Sequence, residues 1–161
     1  MKNKKLFITL IFIAFSIKAQ DVNQLTKDCN KGNGEACFKV GESYYFGKNN
    51  AERNYKKAAE FYEKACNSGQ AEGCFRAGKM YNDSKGVDKN YNKASELFAK
   101  ACDGGHVRGC NLTGMLFFNG FVGKKDGKND YQTAKKYYQK GCDGGDKYSC
   151  EMIKQIDAIL Q

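Results

Sequence analysis

Eight cysteines and a single histidine are the side chains whose type and spacing raise a question of chemistry. The cysteines fall at Cys29/Cys37, Cys66/Cys74, Cys102/Cys110 and Cys142/Cys150, each pair spaced C-x7-C, and His106 lies inside the third pair. Thiols near an imidazole can ligate a metal, act as nucleophile and base, or oxidise to bridges. Structural zinc sites favour cysteines about two to four residues apart with a second pair close by, which this spacing does not offer. The positions equivalent to His106 hold Asn33, Gln70 and Asp146. A slot that accepts four side-chain types reads as a turn position rather than a ligand. The sequence therefore predicts no metal and no cofactor, and it singles out no catalytic residue.

Two cysteines eight residues apart on one helix would have Cα atoms about 12 Å apart, beyond bridging distance. The segments between them, "NKGN", "NSGQ", "DGGH" and "DGGD", are suited to reversing the chain. Gly32, Gly69, Gly105 and Gly145 supply a left-handed helix end, and the polar residue after each stands where the next helix begins. Asn and Asp cap such starts well, Gln and His less well. Pairing within each C-x7-C is then the simplest of the many connectivities open to eight cysteines.

The elements that must position these bridges form a repeat. First cysteines recur after 37, 36 and 40 residues, the period of a two-helix unit. Gly41, Gly78 and Gly114 follow the second cysteine by four, and Tyr44, Tyr81 and Phe117 by seven. Each next pair is preceded by Tyr55, Tyr91 or Tyr131, by Ala58, Ala94 or Ala134, and by Tyr62, Phe98 or Tyr138, at constant offsets. The apolar spacing inside each unit is helical. Eight antiparallel helices are expected, at about 21–30, 34–46, 54–66, 70–82, 91–102, 106–118, 131–142 and 146–160, as four pairs each stapled by one bridge. The recurring mid-helix glycines predict close approach of two helix backbones, since glycine there costs about 1 kcal/mol against alanine. The polar connectors 47–53, 82–89 and 119–130 read as surface loops.

The chain opens "MKNKKLFITLIFIAFSIKAQ", a basic stretch, a short apolar run and a small residue, which reads as a secretory signal peptide over 1–19 followed by one repeat domain over 20–161. Export would keep the cysteines oxidised and place the protein in the periplasm or outside the cell. Cleavage would remove four lysines and no acidic residue from a formal charge of +9. The remaining charge is scattered, so neither nucleic acid nor stable membrane insertion is expected, and the protein is expected to be a monomer.

The pattern "KACNSGQAEGCFRAGKMY" (64–81) with "DKNYNKASELFAKAC" (88–102) resembles the Sel1-like repeats, relatives of the tetratricopeptide repeat, and within them the Helicobacter cysteine-rich protein family. The likeness spans about residues 21–155, with "KGC" at 140–142 for "KAC", Phe117 for a tyrosine, and no Gly/Tyr pair after Cys150. It implies an all-α, right-handed αα-superhelix of disulfide-linked helix pairs, secretion, recognition by host cells, and penicillin binding with weak β-lactamase activity. The residues themselves carry no serine β-lactamase signature: none of Ser43, Ser68, Ser84, Ser95 and Ser149 has a lysine three positions on.

The competing expectation is a binding module. In a curved solenoid the first helix of each unit lines the concave side. Offsets +1, +5 and +8 from the second cysteine then face a groove: Phe38, Glu42, Tyr45; Phe75, Lys79, Asn82; Asn111, Met115, Phe118. Such a strip suits a peptide, a peptidoglycan fragment or a protein segment, and a β-lactam as a mimic of the peptidoglycan stem.

Overall fold

The computed structural model describes residues 21–161; the predicted signal peptide at 1–19 lies outside the described residues. Eight helices run in order: α1 (Val22–Asn30), α2 (Gly34–Phe46), α3 (Tyr55–Asn67), α4 (Ala71–Asn82), α5 (Tyr91–Asp103), α6 (Val107–Phe118), α7 (Tyr131–Asp143) and α8 (Lys147–Leu160). Among the described residues the only β pairing is an isolated bridge between Lys125 and Lys128. Every expected helix is present with its ends within one residue. The starts that differ belong to Asp21, Asn54, Gln70, His106 and Asp146, which are N-caps in extended conformation.

Each tight turn ends one helix and starts the next with the same few atoms. Gly32, Gly69, Gly105 and Gly145 have φ between 83° and 91°, in the left-handed region. The following amide then closes back on the helix just ended: Asn33 on Asp28 O, Gln70 on Ala65 O, His106 on Ala101 O and Asp146 on Gly141 O. That same residue caps the next helix. Asn33 accepts from the Ala36 amide, His106 Nδ1 from Gly109 and Asp146 from Ser149, whereas Gln70 makes no such bond.

The turns bring the Cα atoms of Cys29 and Cys37 to 4.5 Å, of Cys66 and Cys74 to 4.3 Å, of Cys102 and Cys110 to 4.6 Å, and of Cys142 and Cys150 to 4.8 Å. All four C-x7-C pairs are bridged within the pair. Cys37, Cys74 and Cys110 stand near the starts of α2, α4 and α6 and are buried. Their bridges are packed inside the joints, so these cysteines hold the frame and offer no thiol or sulfur surface to a ligand.

The mid-helix glycines serve a different contact from the expected one. A methyl group at Gly41, Gly78 or Gly114 would stand 2.6, 2.6 or 2.9 Å from the ring of Tyr62, Phe98 or Tyr138. The glycine is needed because an aromatic ring of the following helix lies on it, not because two backbones touch. Backbones meet instead beside the disulfides. A methyl at Gly73 would be 2.6 Å from Ala65 Cβ and 3.1 Å from the Cys66 amide, and Gly109 faces Ala101 likewise. At the last joint the sizes are exchanged: Gly141 takes the place of the alanine and Ser149 that of the glycine, with Ser149 Oγ 2.6 Å from a methyl placed on Gly141. The departure "KGC" is thus compensated across the joint.

The connectors are more than surface loops. Val122 is buried, and Val87 packs against the main core. Gly86 (φ 77°) presses on the Tyr55 backbone, where a Cβ would come within 2.4 Å. Asn54 N–H donates to Tyr44 O and Asn90 N–H to Tyr81 O, closing the first two connectors in the same way.

The polar groups of this frame make its stability testable at two places. The Tyr138 hydroxyl is fully buried and has no hydrogen-bond partner among the described residues. Burial first, then Tyr148 and Asp146, push this phenol far above the usual tyrosine range. Phe98 holds the same register without a hydroxyl, so Tyr138→Phe is expected to raise stability by about 1 kcal/mol, seen as a higher denaturant midpoint. A lower midpoint would show that the hydroxyl is bonded in solution.

Asp130 and Asp146 cap α7 and α8. Desolvation pushes Asp130 up, but bonds from the Thr133 amide and hydroxyl and from Lys125 outweigh it and hold the carboxyl below its usual range. The Ser149 hydroxyl, against some desolvation and with help from Asn111, does the same for Asp146. A carboxyl depressed in the folded state adds stability above its unfolded pKa and loses it as pH falls through the folded value. Below about pH 4, amides of α7 and α8 are therefore expected to lose hydrogen-exchange protection before those of α2, α3 and α5, whose Asn caps do not titrate. Uniform loss along the chain would contradict this.

Candidate functional site

The even-numbered helices form one layer and the odd-numbered helices the other, α2 meeting α4, and α3 and α7 each meeting α5. Polar bonds tie the even layer from repeat to repeat. Gln70 Nε2 donates to Glu35 Oε2 at 2.8 Å, His106 Nε2 lies 2.8 Å from Glu72 Oε2, and Asn111 Nδ2 donates to Asp146 Oδ2 at 2.7 Å. Because His106 Nδ1 accepts from the Gly109 amide, the ring proton resides on Nε2 and is donated to Glu72. Its ring stacks on Phe75 with centroids 4.2 Å apart. His106 is a cap and a strut between repeats, with both ring nitrogens engaged.

The expected groove residues divide in two. Phe75 is 3% exposed, lies between Phe98 and His106, and belongs to the core rather than to a groove surface. Phe38, half-buried, covers Tyr62 at 5.7 Å, and Phe118 covers Tyr131 and Tyr138 at 5.4 and 6.5 Å. Asn111 is drawn into the bond with Asp146. Tyr45 packs on Tyr55 and accepts a hydrogen bond from Lys85 Nζ at 2.8 Å. Glu42, Lys79, Asn82 and Met115 are half-exposed. Lys79 pairs with Asp83 at 3.1 Å.

Offsets counted on one helix missed Arg76, whose Nε donates to Glu72 at 2.7 Å, and Lys85, whose ammonium stands 4.5 Å from both the Tyr45 and Tyr55 ring centroids. With Tyr45, Tyr62, Lys79 and Asp83 they line a cavity of about 30 Å³ between α2 and α4. A larger cavity, about 730 Å³, lies at the other end of the chain between the 119–130 connector and the end of α8, with Ile159 and Leu160 in its wall.

Of the serines, Ser68 and Ser84 are exposed, with Ser68 Oγ donating to Lys64 O at 3.1 Å and Ser84 Oγ to Val87 O at 3.4 Å. Ser43, Ser95 and Ser149 are buried. Ser43 Oγ donates to Lys39 O and Ser149 Oγ to Asp146. All eight cysteines are bridged. Among the described residues no group of three His, Cys, Asp or Glu side chains could hold a metal ion, and no helix is long and apolar enough to cross a membrane.

Antiparallel helices stacked in two layers and joined by alternating closed turns and longer connectors define a helical-repeat solenoid with disulfide-closed joints. The sequence matches the Sel1 repeat over residues 34–70, 71–106 and 107–146, and the chain belongs to the Sel1 repeat family. Each matched repeat holds an even helix and the odd helix after it, with α1 and α8 flanking the array. The four helix pairs expected to be stapled by one bridge each are all present, and the matched repeats are phased so that each begins on the second helix of such a pair. Cys37, Cys74 and Cys110 open successive repeats, and each bridges back to the helix before, at Cys29, Cys66 and Cys102. The staples therefore fasten one repeat to the next rather than closing a repeat on itself, because the tight turn falls between repeats and the longer connector within them.

Among solved structures the fold is similar to a protective antigen present in uropathogenic Escherichia coli strains, at TM-score 0.72 and 23% identity over 84% of this chain and 28% of that one. It is also similar to a Sel1 repeat protein from Oxalobacter formigenes, at 0.64 and 20% over 80% and 50%. Helicobacter pylori cysteine rich protein B matches at 0.57 and 24% over 81% and 90%. No curated protein sequence matches the chain. At these identities the likeness is one of fold, and the chain spans 28% and 50% of the first two relatives. Four structural disulfides mark a protein that matures outside the reducing cytosol.

Proposed function

We propose that the protein is an exported, non-enzymatic binding module that holds an extended peptide segment along the exposed strip of α2, α4 and α6. The segment belongs to a partner protein or to the stem peptide of a peptidoglycan fragment, and a β-lactam enters only as a mimic of the latter. The observation that carries this reading is the mixed strip of Glu42, Lys79, Asn82 and Met115, left half-exposed on a layer whose joints are fixed by disulfides and by the bonds from Gln70, His106 and Asn111. A rigid surface holds its ligand without the cost of ordering itself first. The half-exposed rims of Phe38 and Phe118 add apolar contact at either end. One structural neighbour is a protective antigen, which fits exposure outside the cell.

The test incubates the oxidised protein with purified muropeptides, with a library of short peptides, and separately with a chromogenic cephalosporin. Saturable binding of a muropeptide or peptide without turnover is the expected result. Cephalosporin turnover proportional to protein and abolished by denaturation would replace this reading with the hydrolase implied by the family likeness.

A further inference from the structure

We propose that the cavity of about 730 Å³ beside the start of α7 is an open seat for a short segment of a partner protein, one that carries glycine, valine and an acidic residue in succession. Each of the three connectors folds back over the first residue of the odd helix before it. Asn49 O accepts from the Val22 amide at 3.2 Å, and Ala51 packs on the cluster that holds Val22. Gly86 presses on the Tyr55 backbone, and Phe121 stacks on Tyr91 with ring centroids 4.7 Å apart. Val87 and Val122 pack into the core beside them. Tyr131 opens α7 in the register of Tyr55 and Tyr91, and the line of covered seats continues there as the cavity, with no further connector over it among the described residues. The cause lies in α8. Helix α6 ends eight residues after Cys110, and the chain then turns over Tyr91; α8 is still helical ten residues after Cys150. Ile159 and Leu160 therefore stand in the cavity wall, exposed.

The opposite wall is built rather than loose. Lys125 and Lys128 exchange backbone hydrogen bonds of 3.0 and 2.9 Å around Asp126 and Gly127, both with positive φ, which is a two-residue hairpin turn of defined shape. Three charged side chains line the cavity: Lys125, Lys128 and Asp130. Asp130 is already held by Lys125 at 3.1 Å and by the Thr133 amide and hydroxyl. Lys128 forms no ion pair among the described residues, so the lining asks for one acidic group and no more. The volume lies within the range of sites that hold small ligands, about 300–1,000 Å³, and has room for a few residues. A second copy of the chain is a poor occupant, because each of its three connectors is already seated on its own odd helix. The connector 82–89 shows the chemistry that fits such a seat. Its Gly86 lies on the tyrosine, Val87 packs beside it, and Asp88 follows. At Tyr131 the valine meets Ile159 and Leu160, and the acid meets Lys128. Glu42, Lys79, Asn82 and Met115 do not line the cavity, so the seat stands apart from the strip on α2, α4 and α6 and does not depend on what binds there.

The experiment records amide spectra of the ¹⁵N-labelled, oxidised protein during titration with three peptides. The first is acetyl-Lys-Gly-Val-Asp-Lys-amide, the sequence of residues 85–89. The second has serine for the valine, and the third asparagine for the aspartate. The first is expected to give saturable shifts at 125–132 and 159–161, with a Kd on the order of 1 mM because a free pentapeptide must be ordered on binding. The serine peptide is expected not to saturate, and the asparagine peptide to bind about threefold more weakly. Ile159→Asp changes an exposed residue, so its denaturant midpoint should stay put while the first peptide weakens at least about tenfold. Equal titration by the serine peptide, no saturation below about 10 mM, or unchanged affinity in Ile159→Asp would overturn the seat. So would shifts on the α2, α4 and α6 strip in place of these, which would support the groove reading instead. The same amides shifting with protein concentration alone would put a second copy in the cavity and overturn the proposed partner segment.

Discussion

Reduction of the four disulfides is expected to unfold the protein at room temperature. Each bridge closes a loop of about eight residues, worth roughly 2.5 kcal/mol in the chain-entropy picture, so the four together contribute on the order of 10 kcal/mol at most. The whole stability of a domain this size is about 5–15 kcal/mol. Their placement sharpens the effect. They link α1 to α2, α3 to α4, α5 to α6 and α7 to α8, the joints that bound the matched repeats, and in a solenoid stability passes through such nearest-neighbour joints. Their burial sets the order. Cys29–Cys37, Cys66–Cys74 and Cys102–Cys110 are buried at both cysteines, whereas Cys142 and Cys150 are half-buried. In a graded reductant titration followed by alkylation and mass spectrometry, Cys142–Cys150 is expected to open first with helicity retained. The remaining bridges should then open together with loss of the far-ultraviolet circular dichroism signal. Full helicity with all eight thiols alkylated would show that packing alone holds the fold.

The helices were legible because their boundaries are written twice. The cysteine pair fixes where two helices must meet, and the glycine and polar residue between them fix how one ends and the next begins. Gly32 and Asn33 do this at the first joint as Gly145 and Asp146 do at the last. What the pattern does not carry is the identity of a partner on another element. Gly78 announces that something lies close, but the ring of Phe98 is twenty positions further on and in the next helix. Phe75 reads as exposed when offsets are counted on α4 alone, because the ring that covers it comes from His106, the cap of α6. The bonds from Gln70 to Glu35 and from His106 to Glu72 span more than thirty residues. One signal for them was present: an acidic residue stands two positions after the cap in both α2 and α4, where no capping rule requires it. The contact of Lys85 with Tyr45 was invisible for a related reason, since Lys85 comes from a connector whose length and composition say only that it is polar.

The same glycine–aromatic contact sets the second large effect. Phe98 is 1% exposed at the centre of the array, its ring on Gly78 and tilted against Phe75 at 5.8 Å. Truncation to alanine removes that ring from a site flanked by repeats on both sides, which leaves little freedom to collapse, and is expected to cost about 3–5 kcal/mol. Gly78→Ala alone places a methyl 2.6 Å from Phe98 Cδ1, and the ring, locked in the core, has nowhere to shift. Overpacking of this kind costs about 1–3 kcal/mol and exceeds the ~1 kcal/mol that alanine gains over glycine in a helix. In the Phe98→Ala background the obstructing ring is gone, so the same Gly78→Ala change is expected to become stabilising by up to about 1 kcal/mol. The sign reversal, measured as a double-mutant cycle on urea midpoints, reads the ring–glycine contact directly. Additive effects would mean that Gly78 is required by its own backbone rather than by Phe98, and by extension that Gly41 and Gly114 are not seats for Tyr62 and Tyr138.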